Sequence, residues 1–124
     1  MKVRNIKIAI KSSKELFEEV RGVWKRVEQG EKTKKHEGVY FENLEAMRKV
    51  LTEERLRILK VIKQNHPASI YELAKMLGRD VKNTFNDVQF LAGAGLIELK
   101  KTKDGREKSM PIVSYDRIML EITV

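Results

Sequence analysis

The residues of this chain with the clearest potential for chemistry are polar side chains between positions 69 and 86. An asparagine amide can form two hydrogen bonds with the edge of adenine, and lysine or arginine suits the O6 and N7 acceptors of guanine. Lysine, serine and threonine also bind phosphate oxygens, which positions a protein without reading sequence. The candidates for such contacts are Ser69, Arg79, Lys82, Asn83, Thr84 and Asn86.

A second candidate segment, 100–108, is rich in cations. Asp104 and Glu107 are its only acids, and its five cations leave a local net charge of +3. An exposed loop of this charge can lie along a phosphate backbone or enter a minor groove, although an ordinary solvated loop has the same composition. The candidate contacts are Lys100, Lys101, Lys103, Arg106 and Lys108.

The chain as a whole is basic. It has 26 Lys and Arg against 18 Asp and Glu in 124 residues, which gives a formal net charge of +8. Such a surplus suits a polyanionic partner, and the alternative is a heat-tolerant surface rich in lysine and glutamate. Hydrophobic residues make up 41% of the chain, which is enough for a folded core.

The sequence contains no constellation typical of catalysis or metal binding. Cysteine is absent, which excludes disulfides, thiolate zinc sites and cysteine nucleophiles. His36 and His66 are the only histidines, and they are far apart in different surroundings. Ser69 is better explained as a helix cap than as a nucleophile. We therefore predict no catalytic residues, no enzymatic activity, no metal and no cofactor.

The hydropathy pattern predicts a protein without a membrane partner. No run of about 18 apolar residues could span a bilayer. Residues 1–10 alternate basic and apolar side chains and lack both an apolar core segment and a cleavage site, so they do not resemble a signal peptide. We expect a cytoplasmic location.

The N-terminal part predicts a strand followed by an amphipathic helix. Isoleucines alternate with other residues over 3–10, which is a strand pattern, and Ser12 or Ser13 can cap a helix that runs to about Gln29. Residues 31–38 are polar and lie between glycines, which is typical of a linker. The apolar face of the predicted helix comprises Leu16, Phe17, Val20, Val23, Trp24 and Val27.

Helix signals follow one another closely in the next part. Ser69 and Glu72 match a capping box, Gly78 can end the helix that they open, and Asp80 can cap another helix two residues later. The Asp104-Gly105 pair predicts a hairpin turn. The expected helices cover 42–50, 51–65, 70–77 and 81–93, and the expected strands cover 96–99, 107–114 and 118–124.

A helical wheel at about 100° per residue divides the 81–93 helix into two faces. One arc is expected to be buried, and it contains Val81, Thr84, Phe85, Val88, Leu91 and Ala92. The opposite arc is expected to be free, and it contains Arg79, Lys82, Asn83, Asn86 and Phe90. Thr84 lies on the apolar arc, and its hydroxyl is still counted among the candidate contacts.

The order of these elements predicts an α+β fold, a winged helix-turn-helix with an N-terminal strand-helix extension. Residues 1–30 would form the extension, 31–38 a linker and 39–124 the winged helix-turn-helix domain. In such a domain the second helix of the motif enters the major groove of DNA.

The stretch from about Tyr40 to Ile122 resembles small archaeal and bacterial winged helix-turn-helix transcriptional regulators that are related in fold to MarR. The matching residues are FENLEAMRKVLTEERLRILKVI, SIYELAKMLGRDVKNTFNDV, LAGAGLIEL and SYDRIMLEI. The resemblance implies binding of double-stranded DNA by a homodimer, with the helix of Lys82 and Asn83 as the reader. MarR-like folds often hold a small-molecule effector, but no convergent polar set identifies one here.

Dimerisation is expected through the N-terminal extension, because one half-site seldom provides enough specific affinity. The strand over 3–10 can pair with residues 117–124, within one chain or between two. The predicted dimer contacts are Ile6, Ile8, Phe17, Val20, Trp24 and Val27.

Our leading hypothesis is a transcriptional regulator whose dimer blocks a promoter. The alternatives are a winged helix that binds a protein, as an antitoxin-type partner does, and a binder of structured RNA.

Overall fold

A computed structural model describes residues 3–30, 38–103 and 107–124, with side chains omitted at 26, 27, 102, 103, 107 and 108. In chain order, the elements are β1 (Asn5–Ile10), α1 (Ser13–Glu28), β2 (Gly38–Phe41), α2 (Leu44–Val50), α3 (Glu53–Asn65), α4 (Ile70–Leu77), α5 (Val81–Gly93), β3 (Glu98–Lys103), β4 (Glu107–Ile112) and β5 (Arg117–Ile122). Helices α3 to α5 and the β3–β4 hairpin form a winged helix-turn-helix, which confirms the predicted fold class.

The helices begin where short polar residues can accept hydrogen bonds from the first free backbone N–H groups. Asn43, Thr52, Ser69 and Asp80 precede α2, α3, α4 and α5, and each side chain accepts from the backbone N–H three residues later. This N-cap bond replaces one of the bonds that the start of a helix lacks. The predicted starts of α4 and α5 are therefore confirmed.

The turn between α4 and α5 depends on Gly78. Its φ of 66° lies in the left-handed region, and its backbone N–H donates to carbonyls of Ala74 and Lys75. The next N–H, that of Arg79, donates to the Ala74 carbonyl at 3.0 Å. These bonds end α4, and Asp80 starts α5 immediately afterwards. The result is the compact turn that the sequence predicts.

Strand β1 is the middle strand of a three-stranded sheet with the order β2-β1-β5. It pairs in parallel with both neighbours, so that Ile8 is opposite Val39 on one side and Leu120 on the other. The prediction that the 3–10 strand pairs with the C-terminal strand is confirmed within one chain. Parallel pairing of β1 and β2 needs a crossover, and α1 lies in that connection.

The core joins this sheet to the helices. Ile8 and Val39 belong to the same buried cluster as Ile58, Leu73 and Val88. Ile8 is 0% exposed, so its contacts are with its own chain. Its predicted role in the contact with a second copy is therefore wrong, because the sheet turns this side chain into the core of the monomer.

The β3–β4 hairpin is antiparallel, and Pro111 of β4 is opposite Leu99. With two strands in this sheet, β4 is an edge strand, as the proline predicts. The Asp104-Gly105 turn lies outside the described residues. Below the hairpin, the Tyr115 hydroxyl donates to the Leu96 carbonyl at 2.9 Å, and burial raises the pKa of Tyr115 to about 12.

Among the described residues, no helix is both long enough and apolar enough to cross a membrane.

We expect Gly78→Ala to lower the free energy of unfolding by about 1–2 kcal/mol, because alanine is strained at positive φ. Gly93→Ala is the matched control. Gly93 lies near the end of α5 with an ordinary helical conformation and open space around an added Cβ, so alanine should be neutral or stabilising. Urea unfolding would measure both. Equal effects of the two substitutions would contradict the role of the Gly78 turn.

Candidate nucleic-acid interface

Helix α5 buries a narrow stripe and presents a wide polar face. Its buried residues are Thr84, Val88 and Leu91, which follow one another at helical spacing. Lys82, Asn83, Asn86 and Gln89 are exposed. Their side chains make no hydrogen bond or ion pair with any residue that the structure describes. The predicted cations and amides are therefore available to a ligand on one helix.

The helical wheel places two side chains in the core that are in fact exposed in the structure. Val81 is 41% exposed and Phe85 is 46% exposed. The reason is that α5 contacts its neighbours through a narrower stripe than the predicted arc. Val81 and Phe85, one turn apart, thus form an apolar strip beside the polar face of α5.

Thr84 is not a candidate contact. It is 0% exposed, and its Oγ1 donates to the Asp80 carbonyl at 2.8 Å. The prediction for Thr84 is wrong, because its hydroxyl is used inside the first turn of α5, where it satisfies a backbone acceptor.

A carboxylate that sequence reasoning missed, Asp87, holds α5 in place. Its Oδ1 accepts from Arg55 Nε of α3 at 3.2 Å, and its Oδ2 accepts from Arg79 Nη1 at 2.8 Å. Arg55 also donates from Nη1 to the carbonyls of Lys49 and Val50 at the end of α2. The three charged groups therefore connect α2, α3, the turn and α5. The missed pairing between Asp87 and Arg55 joins residues that are distant in sequence, so no local pattern indicates it.

Arg79 is consequently a positioning residue. Besides Asp87, its Nη1 lies 3.6 Å from Glu54 Oε1 of α3. The predicted free position of Arg79 on the α5 face is not observed, because two acids hold the guanidinium against α3 and α5. Its guanidinium is therefore committed to Asp87 and Glu54 and is not free to meet a base.

Phe90 lies on the other flank of α5, against the same cluster. The Arg55 guanidinium carbon is 4.5 Å from the centre of the Phe90 ring, within range of a cation–π contact. Phe90 remains exposed on its outer side.

Ser69 acts as the cap of α4, as the capping box predicts. Its Oγ accepts from the Glu72 N–H at 3.1 Å, and Glu72 Oε2 accepts from the Ala68 N–H at 2.8 Å. The Ser69 hydroxyl keeps a proton that it can donate, so its contact with a phosphate stays a prediction.

The structure describes only part of the cationic hairpin. Lys100 and Lys101 are exposed on β3. Lys103 and Lys108 lie on β3 and β4, but their side chains are outside the described residues, as is the whole of Arg106. Because successive strand residues point to opposite faces, Lys100 and Lys101 project from opposite faces of the hairpin.

Helix α1 exposes an apolar face, which we call the α1 stripe and define as Phe17, Val20 and Trp24. Trp24 is 65% exposed, and its indole Nε1 donates to Glu28 at 3.1 Å. The structure thus brings three predicted dimer contacts together. Ile6 instead packs at the edge of the core, and the Val27 side chain is not described.

Metal-ligating side chains do not cluster in the described ranges. No group of three or more His, Asp and Glu residues there could hold a metal ion.

A model of the HVO_A0114 family matches residues 50–120, which is more than half of the chain. The chain belongs to the HVO_A0114 family. The region that matches HVO_A0114 begins with the last residue of α2 and ends within β5, so it contains the helix-turn-helix and the hairpin. Strand β1, helix α1 and strand β2 precede the HVO_A0114 region.

Among solved structures, a crystal structure of a MarR-like transcriptional regulator from Thermotoga maritima is similar, with 16% sequence identity and a TM-score of 0.46. The similarity covers 83% of this chain and 65% of that one. This chain therefore spans less than two thirds of the length of that regulator. No curated protein matches the chain.

We expect Asp87→Asn to lower the free energy of unfolding by about 2 kcal/mol, because two arginines would lose their shared, mostly buried counter-ion. Glu45→Gln is the control. It removes an exposed partner of Lys49 at 3.7 Å, and such a pair contributes little, about 0.5 kcal/mol or less. Urea unfolding followed by circular dichroism would measure both. If Asp87→Asn lowered the free energy of unfolding as little as Glu45→Gln does, this result would argue against an anchoring role for Asp87.

Proposed function

We propose that this protein is a sequence-specific regulator of transcription that binds double-stranded DNA as a homodimer, with α5 in the major groove. The observation that carries the proposal is the outer face of α5. Lys82, Asn83 and Asn86 project from a helix whose opposite face is anchored in the core, and their side chains have no partner among the described residues. Lysine and asparagine at this position have the donors and acceptors that base edges require.

The hairpin complements α5 by contacting the DNA backbone. Lys100 and Lys101 are exposed there, and Lys103, Arg106 and Lys108 add to the positive charge of the same segment. Contacts of this kind position the protein on any duplex and release counter-ions from it. The net charge of +8 acts in the same direction by attracting the protein to DNA.

The α1 stripe provides the dimer contact. An aromatic residue such as Trp24, which is 65% exposed within an apolar stripe, is typical of an interface anchor. A two-fold dimer would present two α5 helices to two half-sites, and occupation of a promoter by this dimer would block the polymerase. The extension formed by residues 1–30 is thus assigned to dimerisation and residues 39–124 to DNA binding.

We expect Lys82→Ala and Asn86→Ala each to weaken binding to a selected DNA site by about 1–3 kcal/mol, with little effect on unrelated DNA. Lys101→Ala should instead weaken all sequences similarly and lower the slope of log K against log salt. Fluorescence anisotropy with duplexes from genomic selection would measure both.

Lys14→Ala removes the same charge from α1 and is the control for the DNA experiment. It should leave the affinity nearly unchanged, because Lys14 is an exposed residue of α1 and belongs to neither α5 nor the hairpin. Unchanged affinity in the three interface variants would refute the position of α5 in the groove. Preference for structured RNA at equal salt, or capture of an acidic protein with no DNA binding, would favour the alternative functions.

We expect Phe17→Ser combined with Trp24→Ser to convert the dimer to a monomer, because the α1 stripe would lose its apolar anchors. Analytical ultracentrifugation would measure the mass. Tyr71→Ser is the control, since Tyr71 is an exposed aromatic residue of α4 outside the stripe. A double variant that remains dimeric would contradict the assignment of this interface.

A further inference from the structure

One side chain on the outer surface of α5 has no role in the contacts described so far. Phe85 is 46% exposed, so nearly half of its surface has no cover from the described residues. Lys82 and Gln89 lie one turn before and after it, so polar side chains that suit base edges flank this phenyl ring on the same side of the helix. A half-exposed phenyl ring at this position is costly in water, at about 25 cal/mol for each Å² of apolar surface.

We propose that Phe85 is a specificity-determining residue that recognises thymine through its 5-methyl group. This inference rests on the proposed binding of DNA by α5. The edges of the bases in the major groove are polar except for that methyl group, which is the one apolar feature that a phenylalanine can recognise there. Val81, one turn before Phe85 and also exposed, widens the apolar strip that would cover the methyl.

The position of Phe85 explains how one helix could read several bases. Lys82 suits guanine and Asn86 suits adenine, while neither distinguishes thymine from cytosine. Phe85 supplies that distinction, because cytosine carries a hydrogen in place of the methyl group. Burial of one methyl against the ring corresponds to about a fourfold preference, from the value of about 0.8 kcal/mol for each buried carbon.

The other exposed phenylalanine of α5 is a matched control. Phe90 has its ring against the Arg55 guanidinium, at 4.5 Å, whereas Phe85 has no such partner among the described residues. The two residues therefore have similar exposure and chemistry but different surroundings. If exposure alone made a phenylalanine of α5 sensitive to DNA bases, the two would behave alike.

The test uses the duplex that genomic selection with the purified protein enriches most. Each thymine is replaced in turn by deoxyuridine, which lacks only the methyl group, and the affinity of the full-length protein is measured by anisotropy. We expect a loss of about fourfold at one thymine of each half-site for the unmodified protein and for Phe90→Ala. Phe85→Ala should bind the thymine and deoxyuridine duplexes equally, and Phe85→Leu should retain part of the preference.

A second substitution in the DNA tests the same contact in the opposite direction. Replacing the sensitive thymine pair by a cytosine pair should weaken binding, and 5-methylcytosine should recover about fourfold of that loss only when Phe85 is present. Urea unfolding of Phe85→Ala would verify that the fold is intact, which is expected for a half-exposed side chain.

The outcomes separate this inference from the proposed function. Sequence-specific binding that depends on Lys82 and Asn86, but with no methyl-sensitive thymine or with the same sensitivity in Phe85→Ala, would overturn the role of Phe85 alone. Absence of any sequence-specific binding to duplex DNA would overturn both.

Discussion

The carboxylate of Asp87 is the contact on which the orientation of α5 depends. It shares its two oxygens between Arg55 of α3 and Arg79 of the turn, and all three side chains are mostly buried. Charges removed from water in this way need well-aligned partners, so the geometry of the cluster is narrowly defined. Because Asp87 lies on the side of α5 opposite to Phe85, the ion pairs restrict rotation of the helix about its own axis. Together with the buried stripe of α5, they keep Lys82, Asn86 and Gln89 facing outward.

The second constraint is the pairing of the two ends of the chain. Strand β1 lies between β2 and β5, and its Ile8 enters the core that the helices of the winged domain share. The N-terminal segment is therefore attached to the domain by a sheet as well as by the continuity of the chain. This arrangement leaves α1 in the crossover between parallel strands with the α1 stripe uncovered. An exposed apolar surface on α1 therefore accompanies this topology.

The local signals in the sequence were sufficient for the helix-turn-helix. The capping residues Ser69 and Asp80 and the left-handed Gly78 act within three or four residues along the chain, so their effects can be recognised without a structure. The limits of α4 and α5 follow from them directly. The strand β2 was less evident, because four residues between a polar segment and a helix show no clear alternation.

The division between buried and exposed residues on α5 was less predictable. The wheel assumes that a helix buries a broad apolar arc, but α3 and α4 meet α5 along a stripe only wide enough for Thr84, Val88 and Leu91. The sequence by itself determined the order of elements, the compact turn and the basic character of the surface, because these depend on neighbouring residues and on composition. Only the tertiary structure decided that Phe85 is exposed, that Thr84 is enclosed and that Arg79 is held by Asp87. Burial and ion pairing of these side chains depend on elements that the chain brings together from distant positions.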